Sequence, residues 1–163
     1  MSVLRTLFVL LIVCLPFTVS AQGMKVAFGG VAQDPDAPVE VTADQLTVNQ
    51  VDGSASFEGN VLIAQGMLRM SAPKVDVFYN DTTQGVSRLV GSGGVTIVNG
   101  DDAAEAEDAE YDIDGGTIVM TGNVLLTQKL NSISSDRMEV DLNANTAQMH
   151  GRVKTVLKSG DKN

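Results

Sequence analysis

Phe57-Glu58-Gly59-Asn60-Val61-Leu62-Ile63 is a phrase that the chain repeats three more times. It returns as Gly91-Ser92-Gly93-Gly94-Val95-Thr96-Ile97, as Met120-Thr121-Gly122-Asn123-Val124-Leu125-Leu126 and as Met149-His150-Gly151-Arg152-Val153-Lys154-Thr155. The anchoring glycines Gly59, Gly93, Gly122 and Gly151 are 34, 29 and 29 residues apart, a period that marks repeat architecture. A second phrase is interleaved with the first: Val41 to Val48, Met70 to Val77, Ala104 to Tyr111 and Ile133 to Val140. Its small anchors, Ala43, Ala72, Ala106 and Ser135, are 29, 34 and 29 apart. Both series carry the same five-residue excess between Ala72 and Gly93, so one longer loop around Asn80 to Ser87 accounts for it.

From Val39 onward the apolar positions alternate with period two and are rich in β-branched residues, which predicts half-buried strands. Breakers fall where strands should end: Asp52-Gly53, Gln65-Gly66, Asn80-Asp81, Asn99-Gly100, Asp114-Gly115-Gly116 and Asn143-Ala144-Asn145. No helix-period run interrupts them. The fold class expected is all-β, with stacked antiparallel hairpin repeats.

The two phrases differ in parity. In the glycine phrase Phe57, Gly59, Val61 and Ile63 keep one face, as do Met120, Gly122, Val124 and Leu126. An inward glycine lets a sheet bend or leaves room for a ligand. In the alanine phrase the parity slips by one, from Val41 and Ala43 to Leu46 and Val48, and likewise at Ala72/Val75, Ala106/Ala109 and Ser135/Met138. Such a slip turns the apolar set outward unless a bulge or corner absorbs it. A bulge or corner is therefore expected at Asp44-Gln45, Pro73-Lys74, Glu107-Asp108 and Asp136-Arg137.

The inward parity collects Val41, Leu46, Val48, Phe57, Val61, Ile63, Val75, Val77, Val95, Ile97, Tyr111, Met120, Val124, Leu126, Met138, Val140 and Val153 into one apolar interior. These residues suit a filled core and a ligand trough equally. Few aromatics and many small residues favour a space that another molecule fills. A stack of repeats also has two open edges, here Val39, Val41 and Val48 at one end and Val153, Thr155 and Leu157 at the other, which invite strand addition or head-to-tail self-association. Arg152, Lys154 and Lys158 are placed to guard the second.

Residues 1–21 stand outside the pattern. Arg5, the apolar run Leu7 to Val19 and the small-residue end Val19-Ser20-Ala21 form a cleavable secretory signal, too short to span a bilayer. Cys14, the single cysteine, lies inside it, and Val13 before it with Leu15-Pro16 after it fits a lipoprotein signal poorly. Residues 22–38 read as a flexible lead, 39–157 as one β-domain and 158–163 as a tail. The chain after Ala21 has no thiol for a disulfide or a cysteine-bound metal.

Charge and composition exclude several functions. The whole chain carries a net charge of −9, the wrong sign for a phosphate-neutralising surface, and tryptophan is absent, so no nucleic-acid role is expected. In the acidic run Asp101 to Asp114 the acids alternate with Ala109, Tyr111 and Ile113, the pattern of a solvated strand face, and no calcium-loop spacing appears. His150, the single histidine, occupies the outward slot of Glu58 and Thr121, and no nucleophile–base pair can be assembled around it. Neither enzyme activity, metal nor cofactor is expected.

Asp36 to Asp44, Phe57-Glu58-Gly59-Asn60-Val61 with Gln65-Gly66, Ala72-Pro73-Lys74-Val75, Met120-Thr121-Gly122-Asn123-Val124 and Arg152 to Leu157 together resemble the lipopolysaccharide-transport periplasmic protein family, LptA (OstA-like). The similarity runs from Pro38 to Leu157. It implies a β-jelly-roll with a hollow apolar interior holding the lipid A acyl chains of lipopolysaccharide. It implies a periplasmic bridge that meets an LptC-like inner-membrane protein at the N-terminal edge and an LptD-like outer-membrane protein at the C-terminal edge, with no catalysis. The glycine-rich Gly91 to Gly94, and Pro73 where an acid is expected, depart from the pattern. Arg69 and Lys74 are candidates for lipid phosphates, although solvated surface charge explains them as well. Alternatives are an LptC-like protein retaining its N-terminal segment as an anchor, and a structural β-repeat module with a filled core.

Overall fold

The computed structural model describes residues 24–28, 37–51 and 53–158, so the signal segment and most of the tail lie outside the described residues. Among the described residues there are eleven strands: β1 (Met24–Val26), β2 (Glu40–Thr42), β3 (Gln45–Val48), β4 (Ala55–Gln65), β5 (Leu68–Tyr79), β6 (Val86–Asn99), β7 (Asp102–Asp112), β8 (Thr117–Gln128), β9 (Asn131–Asp141), β10 (Thr146–His150) and β11 (Lys154–Val156). All pairings are antiparallel. Strands β4 to β9 follow one another across a single sheet; β2 and β3 share the outer edge of β4, β10 and β11 share β9, and β1 pairs with β10. The molecule is an all-β jelly roll in which each long strand is bent once at mid-length.

The hairpin turns follow the sequence breakers except at Lys129-Leu130, which no breaker announced. Three are tight, at Gly66-Met67, Gly100-Asp101 and Lys129-Leu130, and they alternate with longer turns after β5, β7 and β9. The loop between Tyr79 and Val86 is two residues longer than the turns after β7 and β9, so it takes part of the five-residue excess in the repeat, and the longer β5 and β6 take the rest. Asn80 holds it closed: its side-chain oxygen accepts from the backbone N–H groups of Thr82 and Thr83 at 2.9 and 3.2 Å, and its own N–H donates to Gly85.

The bends come from the glycine phrase. Gly59 and Asn60, Gly93 and Gly94, Gly122 and Asn123, and Gly151 and Arg152 all have positive φ, two left-handed residues in succession. Between Glu58 and Val61 the partner strand advances only from Lys74 to Ala72, so β4 carries one residue more than β5. Strands β6 and β8 carry the same excess against their neighbours. Corners thus lie at the levels expected, Asp44, Pro73, Glu107 and Asp136, but the extra residue belongs to the glycine phrase and not to the alanine phrase. At the two ends the corner breaks the strand outright: Ala43 and Asp44 separate β2 from β3, and Gly151 to Val153 separate β10 from β11.

Candidate functional site

Cross-strand pairing gathers the inward side chains into rows that run across the whole sheet. On one side of the corners, Leu46 faces Phe57, which faces Val75, and the row continues through Gly91, Ala109, Met120 and Met138 to Met149. The next row runs from Val48 through Ala55, Val77, Leu89, Tyr111, Ile118 and Val140 to Ala147. Beyond the corners, Val41, Ile63, Met70, Ile97, Ala104, Leu126 and Ile133 form a third row ending at Thr155, flanked by Val61, Val95 and Val124. The interior is aliphatic at nearly every position, and its members pack into one continuous buried cluster.

Of the residues assigned to this interior from the sequence, Val61, Ile63, Val75, Val77, Val95, Ile97, Tyr111, Met120, Val124, Leu126, Met138 and Val140 are buried. Val41 and Phe57 are half-buried against the cluster. Three differ from expectation. Leu46 and Val48 are 54% and 58% exposed. Their register places them on the inward face, but they belong to the terminal strand, and no further strand among the described residues covers them. Val153, 42% exposed, falls in the break between β10 and β11, where the strand alternation that would turn it inward is lost.

The edges differ from expectation as well. Val39 precedes β2 and Leu157 follows β11, so neither lies in a strand, whereas Val41, Val48 and Thr155 do. At the C-terminal end, among the described residues, β11 presents its outer edge, while that of β10 is occupied by β1, with Val26 opposite Ala147.

Polar clasps close the corners. Asn60 Nδ2 donates to Asp44 Oδ2 at 2.8 Å, Asn123 Nδ2 to Glu107 Oε1 at 2.6 Å, and Arg152 Nη2 to Asp136 Oδ1 at 2.6 Å. The Arg152 hydrogen bond holds the Asp136 carboxyl below its usual value and raises the guanidinium in turn. The remaining corner has Pro73 in the acid slot and Gly94 in the amide slot, so both halves of the clasp are exchanged together. There a groove of about 520 Å³ opens, lined by Gly59, Asn60, Leu62, Ser71, Pro73 and Gly94 among others.

The candidate phosphate cations serve the surface locally. Arg69 Nη1 donates to the carbonyls of Gly66 and Leu68 at 2.6 and 2.8 Å, and Lys74 stands 3.9 Å from Glu58 and 3.6 Å from Asp76. The acids of β7 alternate outward with buried Ala104, Ala106, Ala109 and Tyr111. His150 shares the outward register of Arg137, Thr121 and Glu58. Among the described residues no group of acids and histidine is arranged to hold a metal ion.

Sequence reasoning missed the polar rim beside the tight turns. Gln65, Asn99 and Gln128 each stand six residues after a phrase glycine, on the inward parity of Val61, Val95 and Val124. Gln65 and Asn99 are buried at 2% and 1% exposure. The hydroxyl of Tyr111, from the other side of the corners, donates to Gln65 Oε1 at 2.8 Å, so this bond spans the two halves of the bent sheet. It missed Phe28 too, which is 1% exposed in the core although it lies in the lead expected to be flexible. The repeat offset, noticed, would have found the amides; no periodicity announces Phe28.

Burial, aided by the charge of Asp112, pushes the Tyr111 hydroxyl up to about 12. Folding favours its neutral form, so its contribution is complete below about pH 10, the ordinary tyrosine value, and is lost as pH rises through about 12. Tyr111→Phe is expected to cost about 1 kcal/mol at pH 8 through the lost hydrogen bond. The variant should then lose less stability than the parent between pH 10 and 12, as measured by denaturant unfolding at each pH.

Comparison with known proteins places this architecture. Among the described residues no helix is long and apolar enough to cross a membrane. The fold matches the crystal structure of LptH, the LptA-homologous periplasmic component of the lipopolysaccharide transport device of Pseudomonas aeruginosa, with a TM-score of 0.70. That match covers 78% of this chain and 99% of LptH at 14% identity, a likeness of fold. An uncharacterised protein of Rhizobium meliloti is 27% identical over 84% of this chain and 80% of its own length. The lipopolysaccharide export system protein LptA of Escherichia coli K12 is 28% identical over 66% of this chain, which spans 62% of that relative's length. The LPS-assembly protein LptD of Pasteurella multocida is 43% identical, over 33% of this chain and 7% of its own. The model of the LptA/(LptD N-terminal domain) LPS transport protein family matches residues 40–146. The corner phrases, the bent antiparallel sheet and this match agree: the chain belongs to the LptA/LptD N-terminal domain family of lipopolysaccharide transport proteins.

Proposed function

We propose that this protein is a periplasmic carrier that shelters the acyl chains of lipopolysaccharide in its aliphatic interior and forms part of the bridge between the inner and outer membranes. The observation that carries the proposal is the continuity of the inward rows, which run strand by strand from the exposed Leu46 and Val48 to Met149 and Ala147 in β10 and, beyond the corners, from Val41 to Thr155 in β11. Each acyl methylene left in water costs about 0.8 kcal/mol, so a carrier must offer similar shelter at every step. Rows of interchangeable Val, Ile, Leu and Met do so without a tight pocket to trap the lipid. The edges of β2 and β3, unpaired among the described residues, suit strand addition by an LptC-like partner, and β11 suits an LptD-like partner or a second copy. The chemistry asked of the protein is binding and release, with no bond made or broken.

Acyl chains, not sugar or phosphate, supply the affinity on this account. Intact lipopolysaccharide is expected to bind the purified protein at least tenfold more tightly than the same lipopolysaccharide after chemical deacylation, as measured by isothermal titration. Equal affinity for the two would contradict the proposal.

A further inference from the structure

We propose that Gln65, Asn99 and Gln128 form a carbonyl-recognition row at the rim of the interior, and that the chain's own lead, with segment 24–28 at Gln128 and Ala37 at Gln65, occupies it as a built-in competitor of the lipid. The proposal rests on the lipopolysaccharide-carrier reading and names the part of the ligand that these residues meet.

The row is regular. Pairing aligns Gln65 with Leu68, Leu68 with Asn99, Asn99 with Asp102 and Asp102 with Gln128, so an amide recurs on every second strand at one level of the sheet. With strands about 4.8 Å apart, successive amides stand roughly 10 Å from one another. Two of the three already hold carbonyls of the lead. Gln128 Nε2 donates to the carbonyl of Ala27 at 2.7 Å, and Gln65 Nε2 to that of Ala37 at 3.3 Å. Next to Ala27, Phe28 inserts its ring into the apolar cluster, and just before it β1 is paired along β10. A carbonyl on the rim beside an apolar group in the interior is the chemistry of an acyl linkage, whose carbonyl begins a hydrocarbon chain.

Asn99, between the two occupied amides, is 1% exposed, and neither its Nδ2 nor its Oδ1 has a hydrogen-bond partner among the described residues. A buried amide with both ends unpaired is costly, and an apolar residue in its place would remove that cost. The row is then complete when a carbonyl reaches Asn99 from a ligand. An acylated lipid offers several carbonyls at the head of its chains; among the described residues the lead offers them at Gln65 and Gln128. Lipid entry and release of the lead are thereby coupled, because both require the same interior space and the same donors.

Two variants test this, with fluorescently labelled lipopolysaccharide as the probe and wild type beside them. Lys25 and Gln148 are register partners of β1 and β10. The chain after the signal segment has no cysteine of its own, so Lys25→Cys with Gln148→Cys gives a single disulfide that pins the lead. The oxidised double variant is expected to bind the probe at least tenfold more weakly than after reduction, while wild type ignores reductant. Asn99→Leu is expected to keep or raise the melting temperature and to weaken binding about fivefold, the loss of one hydrogen bond. Equal binding by oxidised and reduced forms overturns the competitor, and unchanged binding by Asn99→Leu overturns the recognition row, with the carrier reading intact in either case. Binding by no form, wild type included, overturns the carrier reading and this proposal with it.

Discussion

Replacing Gly122 with valine is expected to lower stability by about 4 kcal/mol, read as the shift in denaturant midpoint at constant slope. Gly122 has a φ of +83°, and a Cβ built there falls 2.6 Å from Glu107 Oε2 and 2.8 Å from the Glu107 Cβ. A side chain at that φ costs about 1–3 kcal/mol in backbone strain, and the overlap with Glu107 adds a cost of similar size. Glu107 cannot simply swing away, because Asn123 Nδ2 holds its Oε1 at 2.6 Å and the clasp closes the corner. Gly94→Ala provides the contrast. Its φ is +103°, but nothing lies within 4 Å of an added Cβ, so only the strain remains, about 1–2 kcal/mol. Equal losses at the two glycines would show that the clasp plays no part in the bend.

Leu126→Ala is expected to cost about 3–4 kcal/mol, the usual price of a cavity in a closely packed site. Leu126 is fully buried, pairs with Ala104 on one side and Ile133 on the other, and belongs to the row that crosses the sheet beyond the corners. Small neighbours such as Ala104 and Ala106 leave few side chains able to collapse into the space. Leu46→Ala removes the same atoms from the same inward parity at the exposed end of the sheet, and there the loss should stay within about 0.5 kcal/mol. Thermal unfolding of the two variants beside the parent gives the comparison directly. A loss at Leu126 as small as that at Leu46 would mean that the interior rows are loosely packed along their length.

The bent sheet was legible in the sequence because the corner phrase states its own geometry. Gly59-Asn60 and Gly122-Asn123 supply two residues that tolerate positive φ, and their recurrence fixed the strand boundaries and the inward parity of Val61, Ile97 and Leu126. Which strand carries the extra residue was less legible. A corner changes parity by one, and an extra residue restores it, so the glycine phrase looks regular while the alanine phrase, which lacks the extra residue, looks displaced. Burial at the ends was not legible at all, since Leu46, Val48 and Val153 have the same pattern as interior residues, yet Leu46 and Val48 have no covering strand among the described residues and Val153 falls in the break between β10 and β11. Gln65 and Asn99 were read as turn signals because glycine follows each, and that reading hid their inward parity. Phe28 was lost for a different reason: the residues just before it are held by long-range bonds, Ala27 by Gln128 of β8 and β1 by β10, which leave no local pattern.

Photo-crosslinking from a reactive residue placed singly at Ile63, Ile97 or Leu126, with Glu58 and Asp112 as outward controls, tests the central claim most directly. All three inward positions are buried on the same rows, while Glu58 is exposed and Asp112 lies on the opposite parity from Tyr111. The account predicts adducts with lipopolysaccharide at Ile63, Ile97 and Leu126 and none at Glu58 or Asp112. Folded protein that gives no adduct at any inward position in the presence of lipid would contradict it and leave a packed β-repeat scaffold.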